Sequence, residues 1–503
     1  MKLETYKSIT LPNKTRKIYQ AVIDFTARFY IPIFILLSGI LFFLCFYHLD
    51  AKWVSEWDEA RHGINAYEMY QNNNLIVNTF NYSNDYWNLK PPLSYWCIML
   101  SFKLFGFHVF SLRFYSALCY FITCVAASLF VKRQSHLASL FTMAFFCASG
   151  LAFVAHMARA GDADALYTML FTFAMLAMMS IHDNKKMLYV LGLCFSLAFL
   201  TKSWHSGMIV VIGALYLFLT GELNKIKKKE WLLFLLSFSL PLLLWATARF
   251  MADGTSFFNE MLQKDLLNRT SDAIEGHNHP FAFYYDTIFK GDYIYKAIMI
   301  ICLIGAVFFN ILFQKAYFKK FIGYLLWFFI PFLAFSAVKT KLVWYVYPAL
   351  IPLTMVAGIY TAKLLQTEQI LFKVKWVLLV IVSCVLIKYT HANITEIRNI
   401  SADPFQSFIE ASVTRDDEYA GANAYVFTYD DKAPISGWTQ DNIFLAEISG
   451  DYRCKDGGMD AFLQDQNESV LYISKDYYVL FQEDELKDCQ SLFETTDFIL
   501  LKK

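Results

Sequence analysis

Two adjacent carboxylates, Asp58 and Glu59, sit just past the end of an apolar run, and Arg61 follows them. Lys90-Pro91-Pro92 comes after a loop rich in Asn and Tyr. Acids and cations at the lip of a membrane span cost free energy unless they do something there. A carboxylate in that position can deprotonate or orient an acceptor hydroxyl. Guanidinium and ammonium groups are the usual partners of phosphate, which at a bilayer surface most simply belongs to a lipid. The plainer reading is acids favoured at a helix start and cations snorkelling to headgroups.

Further groups have the same character. His156, Arg159, Asp162 and Asp164 cluster before an apolar run. Two acids separated by one residue cannot both cap the helix that follows, so one is left for other work. Thr201-Lys202 ends another run, and Lys339-Thr340-Lys341 precedes a later one. Glu275-Gly-His277-Asn-His279-Pro280 has a His spacing that can bind a metal in an extended segment, without a Cys/His partner motif. No Gly-rich phosphate loop and no nucleotide-sugar pocket is visible.

These residues need elements to hold them. The 503-residue chain is 57% hydrophobic and only 17% charged, against about 25% charged for a soluble domain. Apolar runs fall near 29–49, 92–106, 108–131, 137–155, 163–182, 187–201, 206–220, 231–250, 295–313, 321–338, 342–361 and 372–390. The fold class is a polytopic α-helical membrane protein. Its net charge of +1 argues against nucleic acid as a partner. A basic segment, 1–28, precedes the first run, which is too long for a signal-peptide core and reads as a retained anchor.

Lysine and arginine clusters decide the topology. If 92–106 crossed, Lys132-Arg133, Lys185-Lys186 and Lys225 to Lys229 would all lie outside. If it lies in the interface, every one of them falls inside. The second arrangement gives about eleven spans and a juxtamembrane helix in the outer loop 50–107. Asp58, Lys90, Asp162, Asp164, Lys202 and Lys341 then share one outer face, although none of them was used to choose it. Transporters with many spans would more readily show inverted repeats and polar residues within spans, so an enzyme is favoured over a transporter or flippase of a lipid-linked sugar.

From about 391 the chain turns polar, and Ala424 to Thr428 and Ser469 to Ser474 read as strands. A small α/β lobe outside the membrane, 391–503, is expected. Of ten cysteines only Cys454 and Cys489 fall in this tail. They form one disulfide or stay two free thiols.

The stretch WDEARHGINAYEMYQNNN…WNLKPPLSYWCIMLSFKLFGFHVFSLR resembles the first outer loop of bacterial family 39-type glycosyltransferases of the GT-C fold. That group includes the lipid A aminoarabinose transferase and, more distantly, the dolichyl-phosphate-mannose:protein mannosyltransferases. The blocks ARAGDADALYTMLF, FLTKSWHSGMIV, EGHNHPFAFYY and SAVKTKLVWYVYPALIPL look like later family blocks in the same order. The resemblance covers about 25–360. It implies a catalytic transmembrane domain, 29–390, in the bacterial inner membrane, with site and C-terminal lobe on the periplasmic side. It implies an inverting transfer of a hexose or pentose from a polyprenyl-phosphate donor to an envelope lipid, glycan or protein hydroxyl. Asp58 would lead the catalytic set, with Glu59, Asp164 and Asp162 as further candidates. Arg61, Lys90, Arg159, Lys202 and Lys341 would hold the donor phosphate. Some members bind a metal through an acid before Lys-Pro-Pro and a later His; here that acid is Leu89. A divalent metal at His277 or His279 is therefore in question. Position 62 is His where the family has Tyr.

Overall fold

The structure, a computed structural model, describes residues 13–154, 156–268, 277–289, 293–313, 315–368, 370–414, 419–430 and 433–503. Among the described residues, helices dominate the chain to Arg398, with one short hairpin, Thr79–Phe80 with Ser83–Asn84, and a sheet with flanking helices follows. Among the described residues, five helices are long and apolar enough to cross a membrane: Val109–Val131, Met187–Thr220, Lys228–Asp253, Val343–Gln366 and Phe372–Arg398. The pair Arg16–Arg28 and Tyr30–Phe46, bent by 74°, makes a sixth candidate. Shorter apolar helices include Leu93–Phe105, His136–Cys147 and Asp164–Ser180.

Two runs differ from the expected pattern. The stretches 187–201 and 206–220, expected as separate crossings, form one helical stretch, Met187–Thr220, interrupted by a 3-10 turn at Ser203–Ser206. The run 137–155, expected as one crossing, divides into His136–Cys147 and Leu151–Val154. The carbonyls that end a helix need donors, and Asn393 Nδ2 supplies one to Cys147 O at 2.9 Å.

The Leu93–Phe105 helix has 13 residues. It rises about 20 Å, short of the roughly 30 Å of bilayer hydrocarbon. Pro92 can sit at its start because the first N–H groups of a helix have no internal partners. Gly106 ends it at φ +84°, a left-handed value that suits glycine.

The loop helix Asp58–Gln71 carries the first candidate residues. Its other face docks on the C-terminal sheet unit. That sheet has six strands. Asn423–Asp430 pairs in parallel with Ser469–Ser474, Ala424 opposite Val470. Ser469–Ser474 pairs antiparallel with Phe498–Lys502, which pairs with Gln490–Glu494. Every residue of Ser469–Ser474 is buried, as a central strand covered on both faces must be. Cys454 and Cys489 are both free thiols and belong to separate apolar clusters, so the disulfide left open above is not formed.

The docking is close. A Cβ on Gly63 would lie 2.6 Å from the Phe444 ring. Tyr67 Oη and Gln71 Nε2 both donate to Asp451 Oδ1, at 2.6 and 2.9 Å. Gln406 pairs with the Val54 backbone on both sides, receiving its N–H at 2.7 Å and donating to its carbonyl at 3.1 Å. Tyr67, Phe146, Tyr347 and Phe444 belong to one connected core. The loop helix is thus fixed from both sides.

Candidate active site

Lys90 is the centre of the site. Its Nζ lies 3.6 Å from Asp58 Oδ1 and 3.9 Å from Asp162 Oδ1, and donates to Asn88 Oδ1 at 3.2 Å. Burial works against the ammonium charge, but Asp162 and then Asp58 outweigh it, so Lys90 holds its proton above the usual lysine value. Burial would also raise the Asp162 carboxyl; Lys90 and then the His156 hydrogen bond pull it well below the usual range. His156 Nδ1 is 3.1 Å from Asp162 Oδ2, and its ring stacks on Trp344 at 3.7 Å. Burial lowers the imidazole's affinity for its proton, yet Asp162 raises it further, so His156 favours the charged form.

Asp58, Asn88, Lys90, Asp162, Lys202 and His205 line one cavity of about 50 Å³, with Trp344 and Tyr345 on its wall. Lys202 reaches it from the end of Met187–Lys202 and pairs with Asp164 at 2.5 Å. Asp164 Oδ2 is buried without a hydrogen-bond partner among the described residues.

The remaining candidates are turned elsewhere. Glu59 is buried and receives Arg113 through both oxygens, at 2.6 and 3.0 Å. It also accepts the N–H groups of Ser55 and Gly161. With every bonding direction used, Glu59 positions the loop helix rather than touching substrate. Arg61 makes a two-pronged pair with Asp85 at 2.8 and 2.9 Å and lies over the Phe80 ring. Arg159 is buried and donates to the carbonyls of Leu44, Cys45 and His48, closing the end of Tyr30–Phe46. Both guanidinium groups are engaged inside the protein, so of the phosphate candidates Lys90 and Lys202 face the cavity. Lys341 is buried, and its Nζ donates to the carbonyls of Val338 and His279 at 2.5 and 3.0 Å. Its neighbour Leu342 lines the cavity.

Sequence reading passed over Asn88, His205, Asp265 and Trp344, which also line the cavity. Asn88 had a signal, standing two places before Lys90 in a polar loop; His205 and Trp344 lie within the blocks FLTKSWHSGMIV and SAVKTKLVWYVYPALIPL, and Asp265 had none stronger than its residue type.

A family model for dolichyl-phosphate-mannose-protein mannosyltransferase matches residues 89–245, a segment that holds Lys90, Asp162, Asp164 and Lys202. An uncharacterised protein of Aquifex aeolicus is 28% identical over 315 residues, 61% of this chain and 68% of that one. An undecaprenyl phosphate-alpha-4-amino-4-deoxy-L-arabinose arabinosyl transferase of Pseudomonas fluorescens is 25% identical over 337 residues, 62% of this chain and 56% of the relative. The crystal structure of ArnT from Cupriavidus metallidurans bound to undecaprenyl phosphate superposes with a TM-score of 0.68 at 13% identity, covering 93% of this chain and 97% of that one. The chain resembles the GT-C glycosyltransferases of the ArnT and protein-mannosyltransferase kind.

Position 89 bears on the question of a metal. Leu89 packs with Leu200, Trp245, Phe257 and Met261 in a small apolar cluster. A metal ligand there would need a polar side chain, and the surroundings are built for an apolar one. His277 and His279 stand beside Lys341: their carbonyls accept its N–H and its Nζ. Glu275, from the same motif, lies outside the described residues. Among the described residues, the metal-ligand types that converge are instead Asp58, His156 and Asp162, with ligand atoms within 4.8 Å of one another. These types suit a divalent ion. Lys90 already lies against both carboxylates, so an ion would have to displace it.

His62, on the buried face of the loop helix, lies 2.7 Å from Ser94 Oγ and packs at a tilt against the Tyr95 ring. Burial, then Lys90, push its pKa down to about 3, which makes it a neutral packing group beside the site.

Proposed function

We propose that this chain is an inverting glycosyltransferase. It takes a sugar from a polyprenyl-phosphate donor and gives it to a hydroxylated envelope acceptor. The observation that carries the reading is Lys90 held between Asp58 and Asp162 at one cavity, with Lys202 on its wall.

The donor phosphate enters beside Lys90 and competes with Asp58 for the ammonium. Asp58 is thereby released to accept the proton of the acceptor hydroxyl. The acceptor oxygen forms the new bond to the anomeric carbon from one side. The carbon–oxygen bond to phosphate breaks on the other, and its electron pair leaves with the lipid phosphate. That oxygen gains charge in the transition state, where a fixed cation is worth most. Lys90 supplies it, and Lys202 adds to the positive potential. Asp162 holds Lys90 charged and in place, steadied by His156. A single displacement inverts the anomeric configuration. A divalent ion at Asp58, His156 and Asp162 would add Lewis-acid stabilisation of the leaving phosphate; the steps above are derived from this chain's own groups.

The relatives named for undecaprenyl-phosphate aminoarabinose transfer support a bacterial lipid-linked donor. We place the protein in the inner membrane, with the cavity and the C-terminal sheet unit on the periplasmic face, a placement supported by the tendency of lysine and arginine clusters to stay on the cytoplasmic side. The test is transfer from a synthetic polyprenyl-phosphate sugar by purified protein, with the product's anomeric configuration read by NMR. A retained configuration, or transport of donor across vesicles with no covalent product, would overturn it.

A further inference from the structure

A second cavity, of about 270 Å³, lies between the C-terminal sheet unit and the turn that leads into the loop helix. It carries different chemistry from the first. Its lining includes Glu56, Asp403, Phe405, Trp438, Asp441 and Asn442, with no lysine, arginine or histidine among its lining residues. A polyprenyl phosphate therefore finds no counter-charge there, whereas the first cavity has Lys90 and Lys202.

The acceptor atoms are unusual. Asp441 Oδ1 and Asn442 Oδ1, on residues that line the cavity, are both buried and have no hydrogen-bond partner among the described residues. Their other atoms are committed: Asp441 Oδ2 accepts from Gln406 Nε2 at 2.5 Å, and Asn442 Nδ2 donates to Thr439 Oγ1 at 2.7 Å. Buried polar atoms in folded proteins are nearly always paired, and exceptions ask for a missing partner. A carboxylate and an amide oxygen can only accept, so the missing partner is a donor, such as a sugar hydroxyl. Trp438 stands next to them with its indole fixed: Nε1 donates to Ala424 O at 3.1 Å, and its backbone N–H to Asp456 Oδ1 at 3.0 Å. A fixed aromatic face offers a broad apolar surface at low entropic cost, suited to the C–H face of a sugar ring.

We infer that this cavity is a binding subsite for an uncharged sugar residue, stacked on Trp438 with its hydroxyls donating to Asp441 and Asn442. Its role as the acceptor subsite rests on the transferase reading. Glu56 lines this cavity and Asp58 the other. Two residues of chain span at most about 7 Å, so the two cavities flank the same turn of chain. The negative lining rejects sugar phosphates, which restricts the seated portion of the acceptor to a non-phosphorylated part.

The experiment uses the full chain in detergent micelles. Saturation-transfer NMR and competition titrations are run with the methyl glycosides of glucose, galactose, mannose, arabinose and N-acetylglucosamine, and with glucose 6-phosphate. At least one neutral glycoside is expected to bind the wild-type chain and Asp58→Asn alike, with the phosphate form at least tenfold weaker. Trp438→Ala and Asn442→Ala should each weaken binding about tenfold or more, while Trp438→Phe restores most of it. Binding of undecaprenyl phosphate to Trp438→Ala shows that the variant is folded. Absence of binding to any neutral glycoside, equal binding of glucose 6-phosphate, or dependence on Lys90 rather than Trp438 overturns the proposal. If glycosides bind through Trp438 but no transfer occurs, this subsite stands and the transferase reading falls. If transfer to a glycan acceptor is unchanged in Trp438→Ala, the transferase reading stands and the subsite falls.

Discussion

Arg113 grips Glu59 with two nitrogens, Nε at 2.6 Å from Oε1 and Nη2 at 3.0 Å from Oε2, and both side chains are fully enclosed. The same guanidinium donates to the carbonyls of Leu49, Lys52 and Trp53. This pair ties the entry of the loop helix to the Val109–Val131 helix. It sets the direction in which the neighbouring Asp58 points.

Breaking one partner of a buried pair leaves an uncompensated charge, which costs about 3–5 kcal/mol. Arg113→Leu and Glu59→Gln should therefore lower the thermal unfolding temperature and yield of the detergent-purified protein. Asp58→Asn, whose side chain is 26% exposed, should leave both near wild type. Equal unfolding temperatures for Glu59→Gln and wild type would show that Glu59 is not the structural member of the pair.

Lys90→Ala should lower kcat by about 10²–10³-fold, the usual loss when one fixed charge-stabilising group is removed. Asp58→Asn should lower it by roughly 10²–10⁴-fold, as for a lost general base. Lys202→Ala should act less, since Asp164 already holds that ammonium. Single-turnover transfer from a polyprenyl-phosphate sugar measures all three. Near-normal rates in both Lys90→Ala and Asp58→Asn would remove them from the chemistry.

The interface between the loop helix and the sheet unit should respond to pH through Glu68 and Glu447. Both carboxyls are buried, and each shifts the other's affinity for its proton. Burial raises Glu68 to about 7, and burial followed by the Glu68 charge puts Glu447 well above the usual range. The folded state therefore binds more protons than the unfolded state between the ordinary glutamate value, about 4.3, and 7. Stability falls as pH rises through that window. The unfolding temperature should be higher near pH 5 than near pH 8, and Glu447→Gln should flatten the slope. A slope that survives Glu447→Gln would place its origin elsewhere.

Gly63→Ala should loosen the docking, because the new Cβ would meet the Phe444 ring at 2.6 Å. Overpacking of this kind costs about 1–3 kcal/mol. Limited proteolysis should cut the sheet unit faster in the variant, and Phe444→Leu should restore protection. If Gly63→Ala is as protected as wild type, the contact relaxes without cost.

Much of this protein was legible in its residues. Long apolar runs declare membrane helices because an unpaired backbone is too costly in hydrocarbon. Charges at their lips mark Asp58, Lys90, Asp162, Asp164 and Lys202, since charge in that setting needs a reason. The two stretches read as strands in the tail lie within Asn423–Asp430 and Ser469–Ser474, with pairing that opens at Asn423 opposite Ser469. Sequence could not divide the charged residues into those that bond the fold and those that face the cavity. Asp58 and Glu59 are adjacent, but successive helical residues point about 100° apart, so one faces Lys90 and the other Arg113. Arg61 and Arg159 looked like phosphate ligands until their partners, Asp85 and the carbonyls ending Tyr30–Phe46, were in place. Residue type and local spacing reveal which groups are too costly to leave unpaired. The partner each one finds is decided by helix packing, which brings Lys90 to Asp162 across 72 positions of chain and leaves Trp438 facing an open cavity.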